Sequence, residues 1–317
     1  MSESTFLNKL EKVIECEYTE VLAYFILKTE NGNEIKKADF RKEVLNTIKQ
    51  RLIESLKEEK EKFEKDNNRC IIPLSQSDDR KNVVYQYDFD DELALFKSME
   101  LVYQSSTDIE IFNFDNDNLS DIEYFLFEIG TAENKIVLCR KNYPFNLIHQ
   151  GKGRFFFTKS DSQFELIKDD ILRIDSSIDV ILADGIFYII NLTYLDINKD
   201  FAAVVTKRAK NALSCIKNLD IADIDCLTKR LSDVPFARRL IKISSTSPVL
   251  KLPATDVIKF VQQDTTLSNV LKINAGKIDI STKKAQNSFI KLLNDDYLYS
   301  KLTKSNYETV AKNKLEQ

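Results

Sequence analysis

The chain is poor in the residues that most often carry chemistry. Its 317 residues include one histidine, His149, and six glycines. So few glycines argue against a Gly-rich phosphate loop, a repeat solenoid or long flexible linkers, and no internal repeat is present. The five cysteines are Cys16, Cys70, Cys139, Cys215 and Cys226, and no two stand in C-x-x-C spacing. With a single histidine beside them, they leave no basis for a structural zinc site, which needs four clustered nitrogen or sulfur ligands. An odd set of scattered thiols fits a reducing cytosol. Long apolar runs are also missing. The most apolar stretches, residues 21–27 and 186–192, fall far short of the roughly 20 residues that a membrane span requires. The start, MSESTFLNKLEK, has no basic segment followed by an apolar one and does not read as a secretory signal. A soluble, cytoplasmic protein is expected, peripheral at the inner membrane only through a partner.

What the chain does have is charge, unevenly placed. In total, 46 Lys/Arg stand against 50 Asp/Glu, a net −4. Residues 200–317 hold 20 basic and 12 acidic residues, a net +8, and residues 1–199 hold 26 and 38, a net −12. A basic lobe attracts a polyanion, and an acidic lobe repels it except in one orientation. At 43% hydrophobic and 10% aromatic residues the chain is globular, and its length favours two domains over one.

Apolar spacing predicts a short helix over residues 4–15 and a strand over 21–28, which ends in the turn Glu30-Asn31-Gly32-Asn33. It predicts a long helix over 35–65, with Val44, Leu45, Ile48, Leu52 and Leu56 facing the core. Residues 66–82 read as a loop, 83–87 as a strand and 91–103 as a helix. Short strands follow at 124–129, 135–140, 154–158, 164–167, 171–174, 179–183 and 186–191, with a hairpin turn at Ala183-Asp184-Gly185. The gaps are too short for crossover helices, so this sheet is antiparallel. Helices are predicted at 201–217, 222–231, 236–243, 254–263 and 283–294, with a small hairpin from 271–273 and 277–280. The expected class is α+β: a mixed N-terminal lobe over 1–120, a central antiparallel sheet over 121–195 and a mainly helical basic lobe over 196–317.

No catalytic constellation stands out. His149 lies in a loop with nothing to place a cysteine beside it. Asp115, Asp117 and Asp121 have the spacing that opens a calcium loop, but the central glycine and terminal glutamate are missing. A metal-dependent nuclease is the enzyme class to weigh, because it too uses a basic surface. Glu17, Asp108, Glu110 and Glu128 are candidate acids. No convincing Glu-x-Lys falls on a strand; Glu133-Asn134-Lys135 has the spacing but reads as a turn. The run Gly151-Lys152-Gly153-Arg154-Phe155-Phe156-Phe157 mixes cations with aromatics that can stack bases, though it also reads as the start of a core strand. In the basic lobe the cations come in pairs: Lys207-Arg208, Lys229-Arg230, Arg238-Arg239 and Lys283-Lys284. Neighbours on a helix point about 100° apart, so a shared cationic face must draw on several helices. The candidate DNA contacts are Lys207, Arg208, Lys210, Arg238, Arg239, Lys283 and Lys284.

Two blocks carry a family resemblance. One is IDSSIDVILADGIFYIIN, from Ile174 to Asn191, followed by the helix that opens at Phe201. The other is the tail: Thr282-Lys283-Lys284-Ala285-Gln286, then Lys291-Leu292-Leu293-Asn294-Asp295-Asp296-Tyr297-Leu298, then Leu302-Thr303 and Tyr307. Together they resemble the KwaB family of the bacterial Kiwa anti-phage defence system, over roughly residues 120–317. The resemblance implies a cytosolic, non-enzymatic protein that binds DNA. It also implies assembly with a small multi-span membrane protein of the KwaA type and a block on phage DNA replication and late transcription. It supplies no catalytic residues and no cofactor. The segment Asn294-Asp295-Asp296-Tyr297 reads as a capped helix end, not a metal site. The expected function is sequence-tolerant DNA binding in a membrane-tethered, homo-oligomeric complex, with the acidic lobe meeting protein partners. A nuclease effector and a scaffold docked on anionic lipid are the alternatives.

Overall fold

The protein is described from a computed structural model, which covers residues 3–30, 32–66, 69–77, 80, 82–104, 108–148, 156–160, 163–167, 170–243, 247–300 and 302–309. The chain forms two compact units. The first joins residues 1–71 to 92–194, and the second joins 72–91 to 195–317. The first holds 23 Lys/Arg and 32 Asp/Glu, a net −9; the second holds 23 and 18, a net +5. The charge split therefore survives folding. It is softened in the second unit because the acidic excursion 72–91 belongs there.

Six strands of the first unit lie side by side. Their order is Gly32–Lys37, Glu20–Thr29, Ile122–Gly130, Lys135–Lys141, Val180–Ala183 and Ile186–Ile189, with every neighbouring pair antiparallel. Strands predicted in the early chain and in the middle chain thus share one sheet, with Tyr24 opposite Leu126. The expected turn after residue 29 closes the first hairpin, where Thr29 pairs with Gly32; Asn31 lies outside the described residues. At the second hairpin Asp184 and Gly185 both take positive φ, 50° and 76°, the geometry anticipated for Asp-Gly. Gly130 has φ 133°, and a Cβ there would sit 2.1 Å from the carbonyl oxygen of Asn134. Only glycine fits that turn.

Successive residues of a strand face opposite sides of its sheet. Phe6, from the helix Glu3–Glu15, meets Tyr188 at a ring separation of 4.2 Å. Phe96, from the helix Ala94–Gln104, stacks on the adjacent Phe187 at 4.1 Å. Helices therefore cover both faces of the sheet. That explains why Val180–Ala183 is buried throughout and reads as an unbroken apolar run.

The long helix occupies Lys42–Lys65, not 35–65. Residues 35–37 belong to the second strand, whose register with residues 24–26 overrides any helical spacing. The expected stripe is also shifted. Val44 is exposed, while Leu52, Leu56 and Glu59 are the buried positions. Glu59 is accommodated by Arg69, with which it forms an internal ion pair.

The second unit is mainly helical. Its longest helix, Lys199–Lys217, buries Phe201, Val205, Ala209, Ala212, Leu213 and Ile216 on one side. Asn198 caps it by accepting the Phe201 N–H. Val234–Ile241 packs against it and is capped by Asp233, with Pro235 in its first turn. Ala254–Gln263, Thr265–Val270 and Lys283–Leu293 follow. The helix expected over 222–231 shrinks to Asp225–Thr228, because Ala222 instead bridges Ile278 of the small hairpin. A hairpin of Tyr297–Ser300 with Ser305–Glu308 closes the unit.

Candidate nucleic-acid interface

The seven sequence-predicted contacts fall into two groups. The first is engaged with neighbouring groups of the protein itself, although Lys207 stays exposed. Arg238 donates from Nε and Nη2 to the two carboxylate oxygens of Asp196, each at 2.9 Å, and its side chain is only 11% exposed. Burial pushes the Asp196 carboxyl above its usual range, and the Arg238 guanidinium opposes that shift. Arg208 lies over the Phe89 ring at 4.3 Å and pairs with Asp91 at 2.7 Å, while Lys207 reaches the same carboxylate at 3.0 Å. Hydrogen bonds from Lys207 and Arg208 hold Asp91 below the usual carboxylate range, against its partial burial. Together they fasten the excursion 72–91 to the helix Lys199–Lys217. Arg239 is half-buried and lines a narrow polar cleft with Lys242 and Lys291.

The second group is open to solvent. Lys210, Lys283 and Lys284 are exposed, and none of the three forms an ion pair among the described residues. Lys283 and Lys284 occupy the first turn of their helix, which holds no acidic residue. A helix N-terminus favours anions, so cations there weaken the helix slightly and are left free for an external anion.

Helical geometry adds two lysines that adjacent pairing does not reveal. Steps of 11 and 7 residues return to within about 20° of the same side of a helix. Lys199, Lys210 and Lys217 stand at those steps on Lys199–Lys217, and all three are exposed. At 1.5 Å per residue they mark a line about 27 Å long, roughly 110° around the helix from the middle of the buried apolar stripe. Along one DNA strand that length corresponds to about eight steps of 3.4 Å.

The first unit contains a buried polar network centred on Asp179. Asp179 is fully buried. Its carboxylate accepts from Arg140 Nη1 at 3.0 and 3.1 Å, from the Lys141 backbone N–H at 2.8 Å and from Asn191 Nδ2 at 2.8 Å. Arg140 also pairs with Asp175 at 2.9 Å. Burial alone would raise the Asp175 carboxyl, but hydrogen bonds from Arg140 and Ser177 bring it below its usual range. Asp175 and Asp179 come from the Ile174–Asn191 block. Their role is to fasten that block to the strand Lys135–Lys141, with every carboxylate position taken by a protein donor. Cys139 beside them is fully buried, and burial pushes its thiol well up, away from nucleophilic chemistry.

Other sequence candidates are dispersed. His149 and residues 151–155 lie outside the described residues. Phe157 and Phe164 are exposed on a two-stranded hairpin of Phe157–Ser160 with Gln163–Leu166. The segment 113–118 is an Asn/Asp turn closed on itself, in which the Asp117 carboxylate accepts the Asn113 N–H. Among the described residues no group of three or more His, Cys, Asp or Glu is placed to hold a metal ion. None of the described helices is long and apolar enough to cross a membrane.

The arrangement is that of an α+β protein with a two-sided helix-covered sheet and a separate basic helical unit. The family described as Kiwa protein KwaB-like matches residues 119–303. The Kiwa protein KwaB of Escherichia coli O55:H7 (strain RM12579 / EPEC) is 31% identical over 325 aligned positions, covering 100% of both chains. The chain therefore belongs to the KwaB-like family and is a component of Kiwa anti-phage defence. The likeness spans the whole chain, beyond the 120–317 region that the sequence blocks mark. No solved structure matches it.

Proposed function

We propose that the chain is the DNA-holding component of a membrane-tethered Kiwa complex and acts without catalysing a reaction. The observation that carries this reading is the line of exposed lysines, Lys199, Lys210 and Lys217, on a unit of net +5. Lys283 and Lys284 add two more solvent-facing cations. Flexible lysines on a helix surface contact phosphates as point charges and read no base edges, so binding is tolerant of sequence. Arg238 and Arg208 are support for this surface and not part of it, since their guanidinium groups are already engaged.

The unit of net −9 repels DNA and so leaves its own surface for proteins. It is the proposed site for a membrane protein of the KwaA type and for self-association. Tethering raises the local concentration of the basic surface near the membrane. There, occupancy of phage DNA blocks the passage of replication and late transcription machinery.

Two assays test the reading. Plasmid is incubated with protein and magnesium or manganese. A mobility shift without cleavage supports it, and metal-dependent nicking overturns it in favour of a nuclease. Cell fractionation with and without a KwaA-type protein tests the tether. The chain alone is expected in the soluble fraction and moves to membranes with its partner. Pelleting with anionic lipid vesicles in the absence of partner overturns the tether in favour of direct lipid docking.

A further inference from the structure

The second unit carries an apolar trough that the proposed DNA surface does not use. Two adjoining cavities, each about 290 Å³, share Phe260 and Tyr297 in their walls. One continues along Leu252 and Val257, the other along Leu298 and Tyr307. Phe260 is 45% exposed, Leu252 49% and Leu298 41%. Three large apolar side chains from three separate chain segments thus open to solvent around one depression. Scattered single apolar residues are ordinary on a protein surface, but a contiguous lined trough marks an interaction site.

Its charge is the reverse of its surroundings. The unit is net +5, yet every charged residue that lines the two cavities is acidic: Asp256 and Asp295 in one, Asp264 and Glu308 in the other. The Asp264 carboxylate accepts the Thr266 and Leu267 N–H groups, and Glu308 pairs with Lys291. Asp256 is exposed and has no side-chain partner among the described residues. A polyanion is repelled here, so the trough is not a continuation of the DNA surface.

From the two adjoining apolar cavities, whose charged lining residues are all acidic, we infer that this trough docks a cationic amphipathic peptide segment of a partner protein. Two apolar side chains of the segment enter the cavities on either side of the Phe260–Tyr297 wall. Lysine or arginine side chains beside them meet Asp256 and Asp295. DNA and the peptide occupy different surfaces and bind together.

The test uses the full chain and a short fluorescein-labelled peptide of Lys, Leu and Phe, with the apolar residues on one helical face. Two control peptides replace Lys by Glu or replace Leu and Phe by Ser. Fluorescence anisotropy is expected to show saturable binding of the first peptide and not of either control. Phe260→Ser and Leu298→Ser are expected to weaken binding about tenfold each, as removal of an interface anchor does. Asp256→Asn with Asp295→Asn is expected to weaken it about two- to fivefold, with the loss shrinking in high salt. All three variants should remain folded by circular dichroism, with at most a modest fall in melting temperature for the two Ser variants, and DNA affinity should be unchanged, which separates failure here from failure of the DNA reading. Equal binding of the Glu peptide, or unchanged binding in the Phe260 and Leu298 variants, overturns the inference. So does a concentration-dependent dimer in sedimentation velocity that Phe260→Ser abolishes, since a second copy then covers the trough.

Discussion

Replacing Lys199, Lys210 and Lys217 together by alanine removes the whole exposed line from the helix Lys199–Lys217. These side chains are exposed and cover no core residue, and alanine is a better helix former than lysine, so stability should change little. The effect on DNA is set by counterion release, which contributes about 0.9 to the slope of log affinity against log salt for each neutralised phosphate. With Lys283 and Lys284 included, five contacts give a slope of about −4.5, and removing three leaves about −1.8. The deficit of the variant is therefore itself salt-dependent: between 50 and 200 mM salt, the gap between wild type and variant narrows about 40-fold. Fluorescence anisotropy on a labelled duplex across that range reads both slopes, and circular dichroism confirms the fold. A variant with the wild-type slope would refute the placement of phosphates along this helix. A variant whose affinity falls equally at all salt concentrations would show a lost shape contact, not a lost ionic one.

Other substitutions probe the supports. Arg238→Ala leaves the Asp196 carboxylate buried without its partner and is expected to cost about 3–5 kcal/mol in urea unfolding, whereas Lys283→Ala should stay within about 0.5 kcal/mol. Asp91 has its carboxyl held below the ordinary range by Lys207 and Arg208. Its contribution is complete above the unfolded value of about 3.9 and is lost as pH falls through the lower folded value. The stability gap between wild type and Asp91→Asn should thus be present at pH 7 and close below about pH 3.9; a gap that persists in acid would contradict the ion-pair account. Gly130→Ala forces a Cβ against the Asn134 backbone and imposes an unfavourable positive φ, with an expected cost of about 1–3 kcal/mol.

The strands were readable because both faces of the sheet are covered. Runs such as Val180–Ala183 and the Phe125–Phe127 stretch are apolar at every position, and the Asp184-Gly185 turn announces its hairpin. Which strands neighbour each other was not readable. Glu20–Thr29 and Ile122–Gly130 pair across about a hundred residues, and nothing local specifies such a partner. The long helix shows the limit of periodicity. The stripe from Val44 to Leu56 has the right spacing, but Val44 is exposed, Leu45 and Ile48 are half-buried, and only Leu52 and Leu56 are buried. At the candidate interface, Arg238-Arg239 and Lys283-Lys284 look alike as adjacent cations. One arginine is fixed by Asp196, 42 residues away, and both lysines stand in solvent. Burial separates them, and burial is a tertiary property. The Lys199, Lys210 and Lys217 line is legible from spacing alone once the helix is known to begin at Lys199.

The account rests on sequence-tolerant binding of DNA phosphates by the exposed lysines of the basic unit. The most direct measurement is the affinity of the wild-type chain for two duplexes of unrelated sequence at 50 and 200 mM salt, without divalent metal. With five phosphates neutralised, affinity is expected to fall about 500-fold across that range and to be equal for both duplexes within a few-fold. Absence of binding at 50 mM, or an affinity that salt does not change, would contradict it.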